Sequence, residues 1–102
     1  MSNISEARRA LASRILKGEG KASLSDRRAA FNNRDLKEPL AALVAKVVKD
    51  AYRVTEADVA SARDSGLSED QVFEIVVCAA IGAATRQYET ALAALVEATG
   101  KE

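Results

Sequence analysis

Between Ile75 and Thr85 the chain has no charged side chain. A helix over that stretch is apolar on every face and has to be covered on every face. The flanking residues say that it is a helix. Ser68 is a good N-cap, Gln71 stands three residues on to complete a capping box, and Leu67 and Val72 occupy the positions of a hydrophobic staple. Gly66 suits the left-handed residue that closes the preceding helix, and Gly100 suits a terminator. Along the run, Val72, Ile75, Val76, Ala79 and Ala83 make one stripe at helical spacing, and Ile81, Thr85, Tyr88, Leu92 and Leu95 make a second. Two stripes predict two packing partners. The middle, Cys78 to Ala84, is built of small residues, and Gly82 costs roughly 1 kcal/mol against Ala inside a helix. It therefore predicts either a close crossing or a break between two helices.

The rest of the chain reads as helices that pack on this one. Ile4, Ala7, Leu11, Ala12 and Ile15 share a face, with Arg8, Arg9 and Arg14 off it, which predicts an amphipathic helix over 4–16. Gly18 and Gly20 end it. Ser23 to Ser25 can start a short helix, Asp26 to Phe31, whose Leu24 and Phe31 are expected to dock as an apolar plug before Asn32 and Asn33 break it. Pro39 belongs in the first turn of a third helix, in which Leu40, Leu43, Val44, Val47, Val48 and Ala51 keep the clearest helical period of the chain. Thr55 and Asp58 form a second capping box for a helix over about Glu56 to Ser65. No stretch alternates as a strand would, so the fold class expected is all-α with about five helices. Lys101 and Glu102 are expected to fray.

At 102 residues this is one domain. Its hydrophobic fraction is 48% but its aromatic fraction only 4%, so the core has to come from Ala, Leu and Val. So thin a core around an all-round apolar helix favours completion by another copy. The uncharged run is far short of the roughly 20 residues that span a bilayer, and no signal-peptide pattern opens the chain, so the expectation is a cytoplasmic protein with no membrane partner. A single cysteine excludes an internal disulfide. The absence of histidine removes the commonest general base and metal ligand, so neither metal nor cofactor is expected. The net charge of zero is unevenly divided: residues 1–34 hold eight Lys and Arg against three acids, and residues 35–102 hold seven against twelve. The division predicts a basic helical N-terminal arm, 1–34, lying on an acidic helical body, 35–102. Without interleaved aromatics or a basic pI the arm argues against nucleic acid as partner.

The segment Ala62-Arg63-Asp64-Ser65-Gly66-Leu67-Ser68-Glu69-Asp70-Gln71-Val72-Phe73-Glu74-Ile75 and the Ala-rich helix after it resemble the carboxymuconolactone decarboxylase and AhpD-like family. The resemblance spans about Leu40 to Leu95 and implies a small all-helical protein that forms homo-oligomers. In the peroxidase branch of that family the helix before the turn carries C-x-x-C and a histidine. Those positions correspond here to Ala51, Val54 and Asp58, so dithiol chemistry, which needs two thiols, is excluded.

What remains for a site is sparse. Tyr52, Arg53 and Asp58 occupy the region of the family's redox centre and are the catalytic candidates; the competing reading makes Tyr52 an edge of the core, Arg53 a solvated residue and Asp58 only the partner of Thr55 in its capping box. Glu38 is the nearest acid upstream and is not assigned a catalytic role. Arg86, with Tyr88 as a wall, is the candidate anchor for a small carboxylate ligand, against a structural pairing with an acid. Cys78, Ala79, Gly82 and Ala83 are expected at the contact between copies. The leading expectation is an AhpD-like homo-oligomer with a structural or small-ligand-binding role. An enzyme acting on a small carboxylate or lactone-like substrate is the alternative, and an adaptor using the basic arm the third.

Overall fold

A computed structural model describes the backbone of residues 2–100 and the side chains of 6, 7 and 9–100. The side chains of Ile4 and Arg8, and the whole of Lys101 and Glu102, lie outside what is described. The chain is all-helical: α1 (Ser2–Lys17), α2 (Leu24–Asn32), α3 (Leu40–Asp50), a single 3₁₀ turn (Ala51–Arg53), α4 (Glu56–Asp64) and α5 (Glu69–Thr99). Among the described residues there is no strand.

The capping signals act as their chemistry requires. The Ser68 hydroxyl accepts the Gln71 N–H at 3.1 Å, and the Gln71 side-chain oxygen accepts the Ser68 N–H at 2.8 Å. Thr55 and Asp58 make the same reciprocal pair at the head of α4. Between these helices Gly66 takes φ +107°, open to glycine at little cost. Asn33 ends α2 at φ 52°, its N–H and that of Arg34 returning to Ala30 and Ala29. Pro39 stands one position earlier than expected, as the N-cap of α3, where the Glu38 carboxylate accepts the Ala42 N–H at 3.0 Å.

Uninterrupted through Gly82, α5 is 31 residues long, about 46 Å at 1.5 Å per residue, and sets the 50 Å length of the molecule. Gly82 is therefore a crossing and not a break. A methyl group there would come within 2.7 Å of the Phe31 carbonyl carbon and 2.9 Å of its Cα. Thus α2 lies on α5 at backbone range and runs the same way, Ala22 level with Glu74 and Phe31 level with Gly82 and Arg86. The core comprises Ala22 and Ala30 of the α2 segment, Leu43, Val44 and Val47 of α3, Ala62 of α4, and Val72, Ile75, Cys78 and Ala79 of α5. The apolar plug expected from Leu24 does not form. Leu24 is 50% exposed, because with Arg27 and Ala30 turned inward its position falls about a quarter turn off the buried side of α2, while Phe31 is half-buried. The basic first third of the chain thus supplies part of the same core as the rest.

Candidate functional site

The catalytic candidates stand on the 3₁₀ turn and in the first turn of α4. Tyr52 and Arg53 stand on the 3₁₀ turn with side chains in solvent, Tyr52 being 86% exposed. Asp58 is engaged: Lys46 Nζ reaches its two carboxylate oxygens at 3.0 and 2.8 Å, and the Thr55 N–H and hydroxyl bind one of them. The Lys46 ammonium, then the Thr55 amide, hold the Asp58 carboxyl below its usual value, so it stays ionised as a cap that ties α4 to α3. Among the described residues no ion pair joins Arg86 to an acid, the partner the structural reading expected. Its guanidinium donates to the Phe31 carbonyl at the C-terminal end of α2, where a cation meets the helix dipole. Its Nη2 is buried with no hydrogen-bond partner. Tyr88 is half-buried two residues further along α5.

Sequence reasoning missed a clasp at the head of α5. Glu74 accepts the N–H groups of Lys21 and Ala22, each at 2.8 Å, while the Gln71 amide donates to the Lys21 carbonyl at 3.1 Å. Arg27, only 6% exposed, gathers the loop from inside: Nε donates to Ala22 O at 3.1 Å, and Nη1 to Ile15 O at 3.2 Å and Gly18 O at 2.7 Å. One guanidinium thus holds the end of α1 and the whole 18–22 loop against α5, as a planar fork with several donors can. The two amides, with Arg27 nearby, hold the Glu74 carboxyl below its ordinary range. The spacing of Gln71 and Glu74 on one helical face was the available signal, yet nothing in sequence said that a loop fifty residues earlier would meet it.

Beside the clasp is a hollow of about 220 Å³ lined by Arg14, Ile15, Glu19, Arg27, Phe73, Glu74, Val77 and Cys78. Cys78 is not nucleophilic there, since burial pushes its thiol up to about 11. Among the described residues no group of three or more His, Cys, Asp and Glu is placed to hold a metal. None of their helices is long and apolar enough to cross a membrane.

The contact residues expected between copies face inward in the single chain. Cys78, Ala79, Gly82 and Ala83 are buried, with α2 crossing at Gly82. The reason is the same smallness that suggested them: Ala and Gly let α2 approach, so the chain covers this face itself. The opposite face of α5 is left bare. Phe73, Val77, Ala80, Ala84, Gln87, Ala91, Ala94 and Ala98 succeed one another in alternating steps of four and three residues, which holds them along one side of a helix. All but half-buried Val77 are exposed, Phe73 at 68%. No charged residue interrupts the row. Hollows flank its Phe73 end on both sides, the one just described and a second of about 370 Å³ lined by Val59, Glu69, Asp70, Val72, Phe73 and Val76. Comparison with protein-family profiles, with curated proteins and with solved structures finds no match for this chain.

Proposed function

We propose that this protein is a homo-oligomeric helical module with a structural role, built on the AhpD-like plan and without its dithiol chemistry, and that copies meet on the outer face of α5. One observation carries the reading: between Ile75 and Thr85 α5 has no polar face, yet Ala80 and Ala84 stand in solvent there, in an uncharged and mostly exposed row that runs from Phe73 to Ala98. The resemblance of the Gly66–Ile75 turn to that family supports the same conclusion. An enzyme built on Tyr52, Arg53, Asp58 and Arg86 receives no such support, because Tyr52 and Arg53 are exposed and Asp58 and Arg86 are already engaged.

The test is solution mass by light scattering over a dilution series, on the wild type and two charge insertions. The wild type is expected at a stable multiple of 10.8 kDa. Ala84→Glu, on the bare face, is expected to give a folded monomer, whereas Ala79→Glu, at 0% exposure inside the chain, is expected to unfold it. A wild type that is monomeric at every concentration overturns the reading.

A further inference from the structure

The bare row is unequal along its length, and the inequality assigns both occupant and direction. Its N-terminal half carries the bulk, Phe73 and Val77, with hollows to either side; its C-terminal half is Ala91, Ala94 and Ala98, flanked by Leu95, which is 55% exposed. We infer that the partner on this face is a second copy of the same helix, running antiparallel about a two-fold axis level with the Thr85–Arg86 peptide. The inference rests on the self-association proposed above and adds its geometry.

Antiparallel order sets each of the larger residues, Phe73, Val77 and Gln87, against an alanine. Phe73 comes level with the partner's Ala98, Val77 with the partner's Ala94, Ala80 with the partner's Ala91, and Ala84 with the partner's Gln87. Parallel order would stack Phe73 on Phe73 and Gln87 on Gln87 and leave the alanine half with a gap. In the antiparallel pair Leu95 lies level with the partner's Val76 and Val77, on the side of the hollow whose apolar wall is Ile15, Phe73 and Val77 and whose rim carries Arg14, Glu19, Arg27 and Glu74. Alanine at successive seam positions lets the axes come to the near end of the usual 8–10 Å range. A lone polar seam residue such as Gln87 fixes register.

The area is sufficient. From Phe73 to Ala98 the row is about 38 Å long and about 10 Å wide, which with its corrugation is roughly 600 Å² per copy. Two copies bury roughly 1,200 Å², the lower edge of specific interfaces. α2 crosses α5 at Gly82, on the side away from this row.

Cysteine cross-linking reads the geometry directly. Ala80 and its own counterpart stand about 16 Å apart along the axis of an antiparallel pair, far beyond disulfide reach, while Ala80 faces the partner's Ala91. Under mild oxidation the double variant Ala80→Cys/Ala91→Cys is expected to run as a covalent dimer on a non-reducing gel. Ala80→Cys and Ala91→Cys alone, and the wild type with its buried Cys78, are expected to remain single chains. Cross-linking of each single variant means parallel order and overturns the inference. Absence of any cross-link in a protein whose mass shows a dimer overturns the register but leaves self-association standing, and a monomeric wild type removes both.

Discussion

Gly82→Ala separates the packing described here from helix propensity, because the two predict opposite signs. In a helix with open space at that position the substitution stabilises by about 1 kcal/mol. Here the added methyl meets the Phe31 backbone at 2.7 and 2.9 Å, and backbone cannot rotate aside as a side chain would. Overpacking of a close-packed contact costs about 1–3 kcal/mol, and retreat of Phe31 also strains the hydrogen bond from Arg86 to its carbonyl, a charged-donor bond of about 1.5–3 kcal/mol. Set against the propensity gain, the net loss is about 3 kcal/mol, which in a chain this size lowers Tm by roughly 10–20 °C. Urea unfolding followed by far-ultraviolet circular dichroism measures it, with an unchanged m-value confirming that the native state carries the effect. A variant as stable as the wild type, or more so, refutes the backbone-range crossing of α2 over α5.

Other outcomes follow from the clasp and from Cys78. Glu74→Gln is expected to destabilise at neutral pH, since a neutral amide oxygen binds the Lys21 and Ala22 amides less well than a carboxylate and its other end turns a donor toward them. The folded-state pKa of Glu74 lies below the ordinary 4.5, so its contribution is full above 4.5 and is lost as pH falls through the lower folded value. The stability difference between wild type and variant should therefore close in acid; a difference independent of pH counts against the clasp. Cys78, with its thiol raised to about 11, is expected to resist a thiol-specific disulfide reagent at pH 8 in the folded protein and to react fully in denaturant. Rapid native labelling would mean that α2 does not cover it.

Local chemistry made most of the helices legible. Ser68 with Gln71, Thr55 with Asp58 and Gly66 between them satisfy backbone groups within a few residues, so their roles need no knowledge of the rest of the chain. The spacing of Leu43, Val44 and Val47 likewise showed which side of α3 turns inward. Leu24 misled, because hydrophobicity says that a side chain prefers burial but not which side of a short helix the rest of the chain covers.

For the functional surface the sequence determined that the helix after Ser68 needs cover on all sides, since its uncharged run has no polar face to give to water. Which side the chain covers was decided only by tertiary structure. Alanines line both faces and Gly82 marks only where another backbone can come close; the choice fell to the one face where α2, held by Arg27, Gln71 and Glu74 across some fifty residues of sequence, is delivered within backbone contact. Such long-range delivery depends on loop closure and on side chains distant in sequence meeting in space, and neither leaves a periodic signal along the chain.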